Sequence, residues 1–226
     1  MQLTDAIHSR ISARGFLDKP VPEATVRLVL DLARHAPSGS NMQPWHVHAA
    51  SGKLLERVIE ESIAFTEKHP IGSHEKEFQT PTENFVQPYK GRRYAVGMGL
   101  YDALGIDRKD KVRRNKQLMQ NFYFFGAPVG LFFSVHRSLM PGQLGDMGIF
   151  MGNVMLAARE YDLHTCAQGF WQDVQPVLHE VLNIPEEYFI FNGMALGYID
   201  PEHAANSLVS GREDVDEFCQ FAGFEQ

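Results

Sequence analysis

Cysteine is scarce in this chain of 226 residues, which contains only Cys166 and Cys219. Two cysteines do not supply the disulfide framework of a small secreted domain, so a reducing compartment is the default expectation. Long apolar runs are missing as well: no stretch approaches the ~18 residues of a membrane-spanning helix, and the first residues resemble no signal peptide. We therefore expect a cytoplasmic protein with no membrane partner.

Positive charge is also in short supply, because 21 Lys and Arg face 28 Asp and Glu, for a formal net charge of −7. A nucleic-acid partner would require clustered cations, so this balance argues against one, although a basic pocket for a small phosphate is still compatible with it. Hydrophobic residues make up 44% of the chain, as in an ordinary globular protein. At this length we expect one domain spanning residues 1–226.

Several catalytic motifs are absent from the sequence. Ten histidines occur without an HExxH spacing. His46 and His48 could chelate a metal from one strand face, but solvated strand histidines are the commoner case, and we predict no metal. A hydrolase that used Ser38 or Ser40 would lack the GxSxG turn. Cys166 has no evident basic partner that would make it a nucleophile, so it is interpreted as a small buried hydrophobe.

Irregularly alternating helical and strand patterns predict an α+β or three-layer α/β architecture. Apolar residues at every fourth position, Leu3, Ile7 and Ile11, predict a first amphipathic helix, with Arg10 and Arg14 sharing another of its faces. Further helices are predicted from Pro22 onward and at 54–65, 147–161 and 174–182, and strands at 45–49, 129–135 and 189–198.

The pattern weakens between residues 68 and 116, where prolines and charges accumulate. We expect loops and short helices there that cover the core, because long irregular excursions often form a lid or a binding element over a substrate. The tail at 200–226 has few apolar anchors, and we expect it to extend over a partner subunit.

Four segments combine residue types that suit a phosphate or a flat ligand. Arg10, Ser12 and Arg14 offer forked donors and a hydroxyl for a phosphate, although a solvated helix face is the alternative. The loop at 37–45 offers hydroxyls and carboxamides, although it also fits an ordinary polar loop. The glycines at 165–171 and 192–198 would let the backbone approach a flat ligand closely. For the first segment a tight turn is the alternative, and for the second it is close packing within a strand.

In this order, the segments RISAR, APSGSNMQPW, FFGAPVGL, CAQGFW, GMALGY and a late Arg resemble the FMN-dependent nitroreductase family over nearly the whole chain. The resemblance implies an α+β fold of three α/β/α layers around a central, mainly antiparallel sheet. It also implies an interlocked homodimer with two sites for tightly bound FMN at the interface.

The resemblance further implies which residues meet the cofactor. Phosphate and ribityl contacts from one subunit are implied for Arg10, Ser12, Arg14 and Arg212. Contacts from a loop of the other subunit are implied for Pro37, Ser38, Ser40, Asn41 and Gln43. Backbone amides at Gln168 and Gly169 are implied to approach the flavin ring, and the Gln120 side chain to face it. The sequence departs from relatives at Ile11 and Ser210, where some members carry a further basic residue.

By the same resemblance, NAD(P)H and then a small flat acceptor, nitroaromatic or quinone-like, exchange two electrons through one shared stacking place. Because the two substrates would bind in the same place, ping-pong kinetics are expected. The cofactor would carry the chemistry, so no side chain is expected to act as a catalytic acid or base. Reductive dehalogenation, oxygen-dependent flavin fragmentation and a non-catalytic flavin-binding sensor are alternatives on the same scaffold. Candidate walls of the acceptor site, for which core packing is the alternative, are Tyr89, Tyr94, Phe122, Phe124 and Trp171.

Overall fold

The computed structural model of the chain describes residues 1–72 and 85–224. The helices are α1 (Leu3–Ser9), α2 (Glu23–Ala33), α3 (Gly52–Lys68), α4 (Tyr89–Ala103), α5 (Lys111–Met119), α6 (Leu144–Glu160), α7 (Gln175–Leu182) and α8 (Val215–Phe218). The strands are β1 (His46–Ser51), β2 (Val129–His136), β3 (Leu163–Gln168) and β4 (Tyr188–Tyr198).

The four strands form one antiparallel sheet in the order β1-β2-β4-β3. Strand β2 lies inside the sheet, and all but the last of its residues are buried, which explains its continuous apolar run. Strand β4 is hydrogen-bonded on both edges, to β2 and to β3. The predicted strands at 129–135 and 189–198 are therefore confirmed, and the strand predicted at 45–49 begins one residue later.

Helices cover both faces of the sheet, because alternate residues of each strand point to opposite sides. Val129, Leu131 and Phe133 of β2 pack with α2 and α6 on one face. Phe132 of the same strand packs with α3 and α7 on the other face. This arrangement confirms the predicted three-layer architecture, with the apolar helix α6 in the middle of one layer.

Two glycines of β4 allow aromatic side chains to lie directly on the sheet. A Cβ atom at Gly193 would stand 2.1 Å from Cδ1 of Trp171, and one at Gly197 would stand 3.1 Å from Cδ1 of Phe16. Trp171 is fully buried in the resulting contact. The glycines at 192–198 thus serve close packing within the chain, which was one of the two interpretations of that segment.

Two local predictions were wrong, and one strand had not been predicted. The first helix ends at Ser9, and Arg10 is already extended, with φ −70° and ψ 118°, so Arg10 and Arg14 do not share a helix face. Residues 163–168 form strand β3, where a turn was the alternative considered. The region 68–116 contains α4, a helix of 15 residues, besides short elements. Residues 73–84 of that region, and 225–226 of the tail, lie outside the described residues.

Within the described ranges, the helices are too short or too polar to cross a membrane.

Candidate functional site

The segment after α1 is held in place by strand β3. Ser12 forms a parallel bridge with Thr165, and the Ala13 amide donates a hydrogen bond to the Thr165 carbonyl at 3.0 Å. This long-range pairing draws the chain out of the helix after Ser9. Residues 10–14 therefore form an extended segment at the edge of the sheet, and their side chains project from it.

Asn206 holds the backbone of the next residues of this segment, Arg14 and Gly15, through hydrogen bonds. Its Oδ1 accepts from the Arg14 amide at 2.7 Å, and its Nδ2 donates to the carbonyls of Gly15 and Asp200, both at 2.8 Å. Gly15 has no room for a side chain, because a Cβ there would stand 2.2 Å from Cγ of His203. Sequence reasoning missed both residues, since neither a lone Asn nor a lone Gly signals such contacts.

A cleft of about 800 Å³ opens beside this segment, and we name it the arginine cleft. It brings together Arg10, Ser12 and Arg14 with Arg212 from the C-terminal segment. Among the described residues, no Asp or Glu lines it. Its remaining lining is mostly apolar or small: Ile7, His8, Ile11, Val96, Gly152, Met155, Leu156, Leu208, Val209, Ser210 and Gly211.

Arg212 lies on the outer side of the cleft, braced by its own loop. Its Nη1 donates to the carbonyl and the hydroxyl of Ser210, at 3.0 and 2.9 Å, and to the Gly211 carbonyl at 2.8 Å. Ser210 therefore contacts the arginine through both its carbonyl and its hydroxyl.

The residues of the arginine cleft fit a phosphorylated flat cofactor. Three guanidinium groups and a hydroxyl supply charge-assisted donors for a phosphate. The apolar surface from α4 and α6 suits a carbon framework, and the volume lies in the range of about 300–1,000 Å³ typical of ligand sites. The donor set therefore fits FMN, whose phosphate the arginines would hold.

Gln120 is close to Arg14 in a second, smaller cleft of about 280 Å³. Arg113, Lys116 and His203 also line this cleft. Gln120 follows directly after α5 and caps its C-terminus. The structure thus joins the ring-facing candidate Gln120 to the phosphate-binding candidates through Arg14, which belongs to both clefts.

Gln168 and Gly169 lie at the end of β3, three residues beyond the Ser12–Thr165 bridge. The buried Gln168 side chain is engaged inside the chain: Nε2 donates to the Asn121 carbonyl at 2.7 Å, and Oε1 accepts from Trp171 at 3.4 Å. Gly169 is exposed, and nothing lies within 4 Å of the position of a Cβ there. Of these two positions, only Gly169 is exposed, so a contact of this segment with the flavin ring stays a prediction.

The loop at 37–43 does not line the arginine cleft of its own chain. Its Gly39 amide donates to Asp146 in the first turn of α6 at 3.0 Å, whereas the cleft contacts α6 at Gly152 and Met155. At 1.5 Å per residue, Met155 is roughly 13 Å further along the helix than Asp146. One chain alone therefore does not unite the two sets of candidate residues.

The same loop is strained and internally braced. Positive φ angles occur at Ser40 (50°), Asn41 (56°) and Gln43 (49°), where residues other than glycine rarely adopt them. Ser38 Oγ accepts from the Gln43 amide at 2.9 Å, and Gln43 Nε2 donates to the Asn41 carbonyl at 3.1 Å. Such strain often marks a functional loop. Pro37, just before it, is exposed.

Three of the five candidate wall residues belong to the core instead. Phe122, Phe124 and Trp171 are fully buried, and Phe124 stacks on Trp171 with ring centroids 4.6 Å apart. The close approach at Gly193 places the indole there, so these rings do not line an open site. Tyr89 and Tyr94 are exposed on α4 and remain candidates.

Histidine and cysteine chemistry is not prominent in the described part of the chain. No three of its His, Cys, Asp and Glu side chains are grouped to hold a metal ion. Burial, and then the neighbouring histidine charge, lowers the pKa values of His46 and His48. Burial raises the pKa of the Cys166 thiol to about 11, which suits a packed hydrophobe rather than a nucleophile.

A buried polar pair lies behind the extended segment. Arg159 of α6 donates to the Leu163 carbonyl at 2.9 Å and lies 3.0 Å from Nδ1 of His164. Its Nε donates to the Ser9 hydroxyl at 3.2 Å, next to Arg10. Burial, followed by the Arg159 charge, lowers the pKa of His164 from 6.5 to about 4. His164 is therefore neutral in the folded protein at physiological pH.

This shift predicts an acid-sensitive contribution to stability. His164 takes up a proton at higher pH in the unfolded chain than in the folded chain. Its contribution to the free energy of unfolding is therefore present above pH 6.5 and is lost as the pH falls toward 4. In urea titrations at pH 7 and 4.5, the wild type should lose about 2 kcal/mol more unfolding free energy than His164→Gln. The variant His8→Gln, at an exposed position, is the control; equal losses in the wild type and His164→Gln would contradict the assignment.

Comparison with known proteins places this geometry in a family. The model of the Nitroreductase family matches residues 7–198. The chain is 36% identical over 219 residues to the chloronitrobenzene nitroreductase of Comamonas testosteroni, covering 97% of this chain and 96% of that protein. It is 37% identical over 216 residues to the 4-nitrobenzoate reductase of Nocardioides sp. (strain LMS-CY), covering 95% and 87%.

A solved structure agrees with these matches. The FMN- and NADPH-dependent nitroreductase NfnB of sphigopyxis sp. strain HMH superimposes with a TM-score of 0.93 at 32% identity. The superposition covers 99% of this chain and 100% of that one.

Proposed function

This chain belongs to the nitroreductase family, and from that premise we propose that it uses NAD(P)H to reduce nitroaromatic compounds with FMN as its bound cofactor. Its relatives at 36% and 37% identity are named for nitroaromatic substrates, and a structural neighbour is FMN- and NADPH-dependent. The chain is thus an oxidoreductase, and quinone-like acceptors belong to the same proposal.

The observation that carries the proposal is the convergence of Arg10, Ser12, Arg14 and Arg212 on one cleft. The guanidinium groups would hold the FMN phosphate through charge-assisted hydrogen bonds, with the Ser12 hydroxyl as a further donor. FMN supplies the redox chemistry, as a hydride acceptor and two-electron donor. In this proposal the side chains of the protein bind and orient, and none transfers a proton.

Residues nearer the ring would act through their polar groups. Gln120, which shares the smaller cleft with Arg14, would face the flavin ring and donate a hydrogen bond to its polar edge. The backbone at Gln168 and Gly169 would approach the ring from the end of β3, because Gly169 is open and the Gln168 side chain is engaged elsewhere.

We also propose that two copies of the chain complete each site. The braced loop with Ser38, Ser40, Asn41 and Gln43, together with Pro37, would reach the arginine cleft of a partner subunit, since it does not line its own. Large apolar side chains are exposed along α1 and the C-terminal segment, as a subunit interface would need: Leu3, Ile7, Val209, Phe218, Phe221 and Phe224. We place the protein in the cytoplasm, in keeping with its two free cysteines.

Steady-state assays with several acceptors test the proposed reaction. We expect NADPH or NADH oxidation that depends on added nitrobenzene, 4-nitrobenzoate or a quinone, with the parallel double-reciprocal lines of ping-pong kinetics. Halide release from a halotyrosine in place of nitro reduction would favour dehalogenation. Loss of the flavin spectrum in air would favour flavin fragmentation, and absence of turnover with every acceptor would leave only a binding protein.

A further inference from the structure

A second cationic cavity, of about 420 Å³, lies between α4 and α5, and we name it the α4–α5 pocket. Four cations line it: Lys90, Arg93, Arg108 and Arg114. No Asp or Glu of the described residues is part of its lining. In a chain whose net charge is −7, this concentration of positive charge is unexpected and resembles the electrostatic signature of an anion site.

Three of these four cations have no anionic partner among the described residues. Within residues 1–72 and 85–224, the charges of Lys90, Arg108 and Arg114 form no ion pair. Arg114 donates from Nη1 to the Arg108 carbonyl at 3.0 Å, and its Nε is buried without a hydrogen-bond partner among those residues. A buried guanidinium donor left unpaired is costly, and a bound anion would offset part of that cost.

Aromatic rings line the pocket beside the cations. The Arg108 guanidinium lies over Tyr94 at 5.4 Å, and that of Arg114 lies over Tyr101 at 5.0 Å, both measured to the ring centroids. These rings hold the guanidinium groups in defined orientations, which is how cation–π contacts pre-organise charge. They also offer flat apolar surface on which a planar ligand could pack.

Helix α4 separates this pocket from the arginine cleft. Lys90, Tyr94 and Tyr101 lie on one face of the helix, at spacings of four and seven residues. Val96 lines the arginine cleft, and a Cβ atom at Gly99 would stand 2.9 Å from Cδ1 of Leu208 in the C-terminal segment. Because an α-helix turns by 100° per residue, the residues facing the pocket and those facing the arginine cleft lie on nearly opposite sides of α4. The arginines that line one site therefore do not line the other.

We propose that the α4–α5 pocket binds a planar aromatic group that carries a phosphate or a carboxylate. Unpaired guanidinium groups match both anions, and the tyrosine rings match the flat part of the ligand. A phosphorylated purine nucleoside and an aromatic carboxylate both have this chemistry. The inference goes beyond the proposed reaction, because binding here requires no electron transfer.

Calorimetric titration of the FMN-loaded protein at low salt tests the proposal with redox-inert probes. Adenosine 2′,5′-bisphosphate represents the phosphorylated source, benzoate the carboxylate source, and adenosine the uncharged control. We expect at least one anionic probe to bind more tightly than adenosine and to weaken as salt is added. Binding of the bisphosphate alone would identify a phosphorylated ring as the ligand class, and binding of benzoate alone a carboxylate.

The variant R108Q/R114Q should weaken the binding of that probe by at least tenfold. R27Q/R34Q is matched in charge and lies on exposed positions of α2 and just after it; it should bind the probe as the wild type does. Should the first variant fail to fold, R108Q alone removes the exposed guanidinium over Tyr94 and should still weaken binding. The proposal is overturned if neither anionic probe binds, or if the folded variant binds it undiminished. Neither outcome bears on nitroaromatic reduction, which is measured separately.

Discussion

Replacing Arg10 and Arg212 together with alanine is expected to lower the affinity for FMN by about a hundredfold or more. Both side chains line the arginine cleft, and each would donate charge-assisted hydrogen bonds to the phosphate. Such bonds contribute about 1.5–3 kcal/mol each, so losing two should cost at least about 3 kcal/mol. Fluorescence titration of the stripped protein with FMN measures the change directly.

The matched control for this experiment is Arg27→Ala with Arg34→Ala. These arginines are exposed and paired with Glu23 and Asp31, far from the cleft in the sequence. The control should bind FMN as the wild type does. A folded R10A/R212A protein that purified with full FMN occupancy would show that the cleft does not hold the phosphate.

The second large effect concerns the fold beneath the site: Gly193→Ala should destabilise the protein by about 3 kcal/mol. The added methyl group would stand 2.1 Å from Cδ1 of the fully buried Trp171. Strand β4 cannot move away, because it is hydrogen-bonded to β2 and β3 on its two edges. The indole must therefore shift, and with it its hydrogen bond to Gln168.

Thermal unfolding measures this effect, and a drop of roughly 6–12 °C in Tm corresponds to it for a chain of this size. Gly97→Ala is the control, since nothing lies within 4 Å of a Cβ at that helical position. That change should leave Tm unchanged or raise it slightly, because alanine favours a helix over glycine. A Gly193→Ala protein as stable as the Gly97→Ala control would contradict the packing described for Trp171.

The fold was predictable where the residue pattern repeats locally. The apolar residues of α6 and the β-branched and aromatic run of β2 carry their structure in their own sequence. Strand β3 does not, because its six residues place the polar His164 and Thr165 side by side and show no strict alternation with apolar residues. It becomes a strand through pairing with β4 and with Ser12, which no local pattern reveals.

Helix α4 was missed for a related reason. Gly91, Gly97 and Gly99 weaken its local helical signal. Its position depends on contacts with a distant part of the chain, such as the Arg92–Glu213 ion pair and the approach of Leu208 to Gly99. Tertiary contacts of this kind override propensity.

The candidate site was predictable to the extent that its residues are chemically distinctive. Arg10, Ser12 and Arg14 are notable in sequence, and the structure brings them to Arg212. Asn206, which holds the Arg14 backbone, has no such signature, because its role arises only when residues 14, 15 and 200 come together. The reach of the 37–43 loop into a partner's cleft stays a prediction.

Anaerobic titration of the purified protein with NADPH, followed in the visible spectrum, tests whether the chain is a flavin-dependent reductase. We expect flavin bands near-stoichiometric with the chain that bleach with about one NADPH per flavin. Addition of 4-nitrobenzoate or nitrobenzene, still without oxygen, should restore the bands. A colourless protein that takes up no FMN, or a bound flavin that neither NADPH nor NADH bleaches, would show that the chain is not such a reductase.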